Sequence, residues 1–207
     1  MSFFSTLQSL PTPTLWAGGL MLSYLLGSLP FGFWLVKLLT GEDVRNHGSG
    51  STGTTNVKRV AGTKAALAVL LLDFGKGLLV VLFAKALAPS LSWLHVAMAF
   101  MALIGHSKSI FLGFTGGKSA ATGLATMFGL APLVGLLLTL FALASFKLTR
   151  TVSIGSMLAG ILAPILLFLF QAPSPYVWYA VLAALYVIYL HRENIRRLLT
   201  GQENKLT

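Results

Sequence analysis

The polar segment at residues 45–59 has the residue types and spacing best suited to binding a phosphate group. It reads Arg-Asn-His-Gly-Ser-Gly-Ser-Thr-Gly-Thr-Thr-Asn-Val-Lys-Arg and lies between two strongly apolar stretches. Its glycines allow several backbone N–H groups to converge on an anion, and its basic residues offer charge-assisted hydrogen bonds. A solvated loop whose basic residues only set membrane topology is the simpler alternative, but the density of Gly, Ser, Thr and Asn favours a phosphate site.

A second candidate phosphate site is the segment Gly116-Gly117-Lys118-Ser119. The sequence around it imitates the phosphate loop of P-loop NTPases, but that motif requires glycine where this chain has Leu112, six residues before the lysine. A nucleotide site is therefore not expected. A Gly-Gly-Lys turn that opens a helix still suits an anion, through converging N–H groups and the helix dipole. A helix start whose lysine only sets topology is the alternative.

Candidates of a third group lie in the last third of the chain. His191 and Asn194 are three residues apart, so a helix places both on one face. His191 is a candidate general base or orienting hydrogen-bond partner, and the alternative is a juxtamembrane anchor among arginines. Ser153 follows the basic residues Lys147 and Arg150 and joins this group.

Composition places these candidates in a membrane protein. Of 207 residues, 56% are hydrophobic and 10% are charged, so the solvent of the apolar surface must be lipid. In a membrane protein, a net charge of +10 indicates first how the chain is oriented in the membrane and that its basic residues face anionic lipid headgroups. Nucleic acid is not an expected partner, because the cations form no continuous stripe. The absence of cysteine excludes disulfides, thiolate metal sites and a cysteine nucleophile. No removable signal peptide is expected at residues 1–14.

The apolar stretches predict an all-α, polytopic integral membrane protein that forms one domain over residues 1–207. They lie at residues 15–39, 64–88, 93–105, 119–146, 153–170 and 176–190. The fourth stretch has a turn signal at residues 129–132, and basic residues on both sides of the stretch favour a hairpin. Seven crossings result, with the N-terminus outside and the C-terminus in the cytoplasm. Every polar cluster then falls on the cytoplasmic face, where we expect a cationic pocket open to cytoplasm and lipid.

Two ionisable residues, Asp73 and Lys76, lie inside the second apolar stretch. Their spacing of three places both on one helix face, where they can pair. Ionisable groups at membrane depth are costly and by default indicate function. An internal ion pair that locks helices together and a direct catalytic role are both open.

Four motifs in this order resemble the acyl-phosphate:glycerol-3-phosphate acyltransferases of bacterial membranes. They are residues 45–59, Gly105-His106 with Gly116-Gly117-Lys118, Val152-Ser153, and residues 191–195. The resemblance extends from residue 26 to residue 201. It implies a seven-helix enzyme that transfers a fatty acyl group from acyl phosphate to position 1 of glycerol 3-phosphate, giving lysophosphatidic acid and phosphate. We expect a monomer in the bacterial cytoplasmic (inner) membrane, with its active site facing the cytoplasm.

The resemblance also implies the roles of the site residues, without a metal or a cofactor. The catalytic residues are Ser49, Lys118, Ser153, His191 and Asn194. The substrate-binding residues are Arg45, Gly50, Asn56, Arg59, Gly116, Gly117 and Ser119. The chain departs from the family at Ser51, where asparagine is usual, and at Ser119, where glycine is usual. Both departures concern the fine geometry of the site.

The expected chemistry is direct attack of the glycerol hydroxyl on acyl phosphate, since this mixed anhydride has a good leaving group. Lys118 and the N–H groups of residues 116–117 would hold the acyl-phosphate group. Arg59, His191 and Asn194 would hold glycerol 3-phosphate, while Ser49 and Ser153 orient or donate. The proton acceptor is either His191 or an oxygen of a substrate phosphate.

Other functions fit the sequence less well. A transporter for phosphorylated solutes needs a path from both faces, and the external loops are short and uncharged. A CDP-alcohol phosphotransferase needs an aspartate cluster, but Asp43 and Asp73 are the only aspartates. The other major class of glycerol-phosphate acyltransferases has aspartate five positions after a histidine. Here those positions after His47, His106 and His191 hold Thr52, Phe111 and Arg196. A purely structural subunit leaves the 45–59 segment unexplained.

Overall fold

The computed structural model describes residue 7 and residues 11–205, where the regular structure is helical apart from an isolated antiparallel bridge between Ser109 and Thr115. The chain forms two compact units, Met1–Thr126 and Met127–Thr207. The helices are α1 Thr12–Ser28, α2 Phe31–Thr40, α3 Thr54–Leu87, α4 Ser92–Ser107, α5 Ala120–Leu130, α6 Pro132–Thr149, α7 Val152–Leu169, α8 Ser174–Leu190 and α9 Arg192–Leu199. The all-α prediction is confirmed. The expectation about a signal peptide falls mostly on residues outside this description.

Within the described residues, four helical segments are long and apolar enough to cross a membrane. They are Thr12–Thr40, Thr54–Leu87, Pro132–Thr149 and Val152–Leu169. Helices α8 and α9, which meet at a bend of 60°, make a fifth if the pair counts as one span. Helix α4 has 16 residues and α5 has 11, fewer than the roughly 20 that a full span needs. The count of seven, the orientation of the termini and the single domain stay predictions.

The first apolar stretch is divided into α1 and α2 at Leu29 and Pro30. Proline lacks an N–H donor and disfavours helical geometry in the residue before it, which explains the break. Helix α1 carries small residues four apart, Gly19, Ser23 and Gly27, on the face that packs against α4. A Cβ at Gly27 would overlap the backbone of Ala102, so this packing depends on close approach of the two backbones.

Helix α3 begins ten residues before the predicted start of the second apolar stretch. Its 34 residues would extend about 51 Å if straight, against about 30 Å of hydrocarbon. The helix is instead kinked at Gly62, where φ is +82°. Hydropathy rises only after this residue, which is why the apolar pattern missed the polar first turns. The predicted pair is confirmed, with Lys76 Nζ 2.8 Å from Asp73 Oδ1.

The predicted hairpin breaks where the turn signal indicated, at Ala131 between α5 and α6, and Pro132 opens α6. The two arms have 11 and 18 residues, and the second arm ends three residues beyond the predicted end of the stretch at residue 146. Helix α6 is longer because helical geometry continues to Thr149 and ends only at Arg150, which has a φ of +54°. Its length alone therefore suffices for a span.

Candidate active site

The loop before α3 is organised around the side chain of Asn56, which is 1% exposed. Its Nδ2 group donates to the carbonyl oxygens of Val44 (3.0 Å), His47 (2.9 Å) and Ser51 (3.0 Å). Its Oδ1 atom accepts the N–H of Ser49 at 3.0 Å. One amide thus contacts four backbone groups of the loop, with its two N–H hydrogens shared among three carbonyl oxygens. We infer that Asn56 shapes the loop, whereas its predicted contact with substrate stays a prediction.

The tip of this loop leaves Ser49 and Gly50 exposed. Gly48 has a φ of +58°, and a Cβ there would overlap Asn56 Oδ1, so the loop needs glycine at this position. The N–H of Gly50 closes the turn onto the His47 carbonyl at 3.0 Å. The exposed side chain of Arg59 runs beside Gly48. The first unit therefore exposes the Ser49 residue at the tip of this loop and places the Arg59 side chain, from the start of α3, beside the preceding residue Gly48.

Arg45 is half-buried and forms hydrogen bonds within the protein. Its guanidinium forms a fork with Asp43, in which Nε lies 3.0 Å from Oδ1 and Nη2 lies 2.7 Å from Oδ2. Hydrogen bonds from Arg45 hold the pKa of the Asp43 carboxyl below its ordinary value. The guanidinium also donates to the Leu112 carbonyl at 3.4 Å and lies 5.2 Å from the ring centre of Phe33. Arg45 thus connects the loop before α3 to the 109–115 turn, and its contact with substrate stays a prediction.

The Gly116-Gly117-Lys118 turn packs against the end of α4. A Cβ on Gly116 would overlap the His106 carbonyl, and one on Gly117 would overlap the His106 imidazole. Both positions therefore require glycine for packing. The Gly117 N–H donates to the His106 carbonyl at 3.1 Å, so in this structure that donor serves the fold. Gly116, the half-buried Lys118 and the start of α5 are the other anion-binding candidates of this turn, and the predicted contact of Gly117 with substrate stays a prediction.

Ser119 shows what its departure from glycine costs. Its φ is +57°, a backbone geometry that costs most residues about 1–2 kcal/mol. Its fully buried hydroxyl donates to the Leu103 carbonyl at 2.8 Å, a hydrogen bond that contributes about 1 kcal/mol. The two effects largely offset each other. Ser119 holds the start of α5 against α4, and its contact with substrate stays a prediction.

In the second unit, Ser153 and Asn194 converge on a residue that the sequence did not single out, Glu203. Ser153 Oγ donates to Glu203 Oε1 at 2.8 Å and Asn194 Nδ2 donates to the same oxygen at 2.6 Å. Arg197 Nε donates to Oε2 at 2.8 Å. Glu203 lies eight residues after the last motif, which ends at residue 195, and two residues beyond the end of the resemblance. The available signal was its rarity, since it is one of five acids and follows a cluster of arginines.

His191 lies at the bend between α8 and α9 and is 3% exposed. Its Nδ1 atom is 2.7 Å from the Val187 carbonyl oxygen. Because a carbonyl only accepts, Nδ1 carries the hydrogen in the neutral ring, and Nε2 is the atom able to take up a proton. Asn194 is buried on the next turn. The structure thus groups Ser153, His191 and Asn194 within the second unit. Their convergence with the first-unit candidates on one pocket stays a prediction.

We expect the stability of the second unit to depend on pH because of Glu203. Burial acts to raise the pKa of Glu203, but the hydrogen bonds from Asn194, Ser153 and Arg197 outweigh it and lower the pKa below its ordinary value. Its stabilising contribution is therefore fully present above the ordinary pKa of about 4.3 and is lost as pH falls through the lowered folded-state pKa. At pH 7 we expect Glu203→Gln to lower the unfolding free energy by about 1–3 kcal/mol.

Thermal unfolding in detergent between pH 7 and pH 3 measures this effect. The unfolding temperatures of Glu203→Gln and the unaltered protein should approach each other as the pH falls below about 4. Glu193→Gln, which changes an exposed glutamate on α9, is the matched control. A constant difference across the whole pH range would show that the charge of Glu203 is not what stabilises this contact.

A cleft of about 430 Å³ in the second unit does not suit a phosphorylated substrate. It is bordered by residues 130–134, residues 170–173 and Tyr176, and none of these side chains is charged. Phosphate recognition needs charged or N–H donors. We therefore assign the chemistry to the loop before α3, the 116–119 turn and the group around Glu203.

Comparison with known proteins gives these candidates a context. Residues 17–201 match the family model described as Glycerol-3-phosphate acyltransferase. A glycerol-3-phosphate acyltransferase of Rippkaea orientalis is 45% identical over 200 residues, covering 90% of each chain. One from Synechocystis sp. is 43% identical over 201 residues, covering 90% of this chain and 89% of its own.

Two solved structures are similar over almost the whole chain. One is the glycerol 3-phosphate form of PlsY, an integral membrane glycerol 3-phosphate acyltransferase, with a TM-score of 0.89 and 39% identity over 93% of this chain and 96% of that one. The other is the lysophosphatidic acid form, with a TM-score of 0.86 and 37% identity over 93% and 95% of the two chains.

Proposed function

This chain belongs to the glycerol-3-phosphate acyltransferase family, and from that premise we propose that it acylates the sn-1 hydroxyl of glycerol 3-phosphate with acyl phosphate as the donor. The products are lysophosphatidic acid and inorganic phosphate, which makes this the first step of bacterial phospholipid synthesis. The observation that carries the proposal is the loop before α3, whose backbone folds around Asn56 and leaves Ser49 and Arg59 exposed. The glycerol 3-phosphate and lysophosphatidic acid forms of PlsY support the acceptor and the product.

The reaction is a single acyl transfer. The sn-1 oxygen of glycerol 3-phosphate attacks the carbonyl carbon of the acyl phosphate, a new ester C–O bond forms, and the C–O bond to phosphate breaks. Phosphate leaves with the electron pair, and the hydroxyl proton passes to a base. The protein must bind two phosphate groups, orient the hydroxyl and exclude water. None of these tasks requires a covalent intermediate with the enzyme.

The roles follow the residue types. Lys118, Gly116 and the start of α5 hold the phosphate of the donor, because an ammonium and unpaired helix N–H groups both favour an anion. Arg59, His191 and Asn194 hold glycerol 3-phosphate, with Ser49 and Ser153 as orienting hydroxyls. Glu203 positions Ser153 and Asn194 through its two hydrogen bonds to them.

The proton acceptor is either His191 or a phosphate oxygen. The hydrogen bond from Nδ1 to Val187 favours His191, because it directs the basic lone pair to Nε2. An enzyme that uses this base should lose most of its turnover when His191 is replaced by alanine, whereas a kcat within a few-fold of the unaltered value would leave the substrate phosphate as the acceptor.

We further propose that the enzyme works as a monomer in the bacterial inner membrane, with seven crossings, an external N-terminus and a cytoplasmic active site. The distribution of Lys and Arg supports this orientation, because these residues concentrate in the loops that then face the cytoplasm. Glycerol 3-phosphate and the phosphate product would enter and leave on the cytoplasmic side, and the acyl chains would remain in lipid.

Phosphate release by the purified protein tests the proposal. The protein receives palmitoyl phosphate with and without glycerol 3-phosphate, in the presence of a metal chelator. We expect phosphate and lysophosphatidic acid in equal amounts, and only when glycerol 3-phosphate is present. Product formed from palmitoyl-CoA but not from palmitoyl phosphate would contradict the donor. Movement of glycerol 3-phosphate across vesicles without any acyl transfer would favour the transporter.

A further inference from the structure

Three buried ionisable side chains of the first unit have no part in the chemistry proposed above. Lys76 Nζ lies 2.8 Å from Asp73 Oδ1, and His106 Nδ1 lies 3.5 Å from the same oxygen. The side chains are between 3% and 6% exposed. Among the described residues, His106 Nδ1 makes no hydrogen bond, so its approach to Asp73 Oδ1 is a close polar contact between two buried groups. Ionisable groups at this depth require a reason.

Contacts of Lys76 with neighbouring residues hold this cluster in position. Its ammonium donates to the Leu29 carbonyl at 2.9 Å, at the break between α1 and α2, and lies 5.5 Å from the ring centre of Phe31. A cation at the C-terminal end of α1 is favoured by the helix dipole. Asp73 adds a second anchor, because its backbone carbonyl accepts the Thr122 hydroxyl at 3.1 Å. The carboxylate that faces His106 is thus held by Lys76, which is itself bound to Leu29, and the backbone of Asp73 is bound to α5.

The imidazole of His106 lies between this carboxylate and the Gly116–Gly117 turn. Its Nδ1 edge faces Asp73, and its Nε2 edge occupies the space that a side chain on Gly117 would need. The His106 carbonyl accepts the Gly117 N–H at 3.1 Å. The residue therefore contacts the turn with both its ring and its backbone, one residue before Lys118.

We propose that Asp73, Lys76 and His106 form a positioning network, in which the carboxylate fixes the imidazole and the imidazole fixes the Gly116–Gly117 turn that carries Lys118. The network does not touch substrate. The network determines the position of the Lys118 ammonium. The two glycines before Lys118 have no side chains that could fix the turn by packing. This inference rests on the proposed function, since it assigns the turn to the acyl-phosphate group.

Variants of His106 test the contributions of the Nδ1 edge and the Nε2 edge of its imidazole ring separately. His106→Asn keeps a polar atom near the Nδ1 position but leaves the space beside Gly117 empty, whereas His106→Gln reaches the Nε2 position. His106→Ala removes both. His95→Gln is the matched control, because His95 is a second buried histidine of α4, with Nε2 2.8 Å from the Ala88 carbonyl. It lies 11 residues earlier, or about 16 Å along the helix.

Steady-state kinetics and thermal unfolding are measured on every variant. We expect His106→Ala to lower kcat/KM for palmitoyl phosphate by about 10- to 100-fold, through a higher KM, while the KM for glycerol 3-phosphate is unchanged. His106→Gln should retain more activity than His106→Asn. The control should match the unaltered enzyme in kinetics, even if both histidine positions lower the unfolding temperature.

Gly117→Ala provides a second test that does not depend on the stability of the histidine variants. Alone, the added methyl group meets the imidazole and should lower kcat/KM for palmitoyl phosphate. Combined with His106→Ala it occupies vacated space, so the double variant should lose much less than the sum of the single losses.

The possible failures are distinct. If the unaltered enzyme and His95→Gln both lack turnover with palmitoyl phosphate, the proposed function is wrong and the network falls with it. If both turn over, the network alone is overturned by additive losses in the double variant. An equal rise in the KM of both substrates in His106→Ala overturns it as well, since that pattern indicates a general loss of structure.

Discussion

Replacing Lys118 with alanine is expected to lower kcat/KM for palmitoyl phosphate by about 10²- to 10³-fold, the loss typical when one donor to a developing anion is removed. The ammonium would neutralise the negative charge that develops on the departing phosphate. The neighbouring Gly116 and Gly117 have no side chain that could replace it. The fold should survive, because Lys118 is half-buried and belongs to a turn whose backbone is held by His106. Glycerol 3-phosphate-dependent phosphate release and thermal unfolding measure the two parts of this prediction.

Two further lysine variants sharpen the comparison. Lys118→Arg keeps the charge but presents a planar fork in place of a compact ammonium, so it should recover only part of the activity. Lys108→Ala removes an exposed lysine from the same connection and should behave like the unaltered enzyme. Equal losses for Lys108→Ala and Lys118→Ala would mean that the charge of the whole connection matters, and that no lysine is aimed at the donor.

The second large effect is expected at Asn56. Asn56→Ala removes a hydrogen-bond partner from four backbone groups at once. Allowing for water that reaches some of them, we expect a loss of about 2–4 kcal/mol of unfolding free energy. We also expect a fall of about 100-fold in kcat/KM, because a displaced loop no longer holds Ser49 and Arg59 in place. Thermal unfolding and the phosphate-release assay measure both quantities.

Asn56→Asp identifies which half of the amide matters. The aspartate keeps the acceptor for the Ser49 N–H but turns a carboxylate toward the carbonyls of Val44, His47 and Ser51. We expect it to be at least as harmful as alanine. Asn46→Ala, which changes an exposed asparagine of the same loop, is the control. If Asn56→Ala keeps normal stability and loses activity only, then Asn56 contacts substrate and does not organise the loop.

The elements that follow from local chemistry could be predicted from the sequence. A turn signal placed the break before α6, and a spacing of three paired Asp73 with Lys76. Each depends on residues within one turn or one peptide bond of each other. The start of α3 was missed because its first turns are polar, and hydropathy detects only the part of a helix that faces lipid.

The site was predicted as a set of residues but not as an arrangement. Nothing in the pattern distinguishes Asn56, which points into its own loop, from Ser49, which is exposed, since both are polar residues of one glycine-rich segment. Glu203 binds Ser153 across 50 residues of sequence, and His106 contacts Gly117 because the connection between α4 and α5 packs against the end of α4. Such contacts depend on tertiary packing, and no local rule encodes them.

The ion pair of α3 also bears on how the chain is assembled. A lone Asp or Lys at the centre of a helix raises the cost of entering a bilayer by about 2.5–3.5 kcal/mol. Asp73 and Lys76 are within one helical turn, so they neutralise each other as soon as that turn forms during synthesis. The Leu29 carbonyl has already been made by then, whereas His106 is made 30 residues after Lys76. Helix α3 can therefore be integrated into the membrane in sequence order, carrying its own counter-ion, before the histidine that completes the cluster exists.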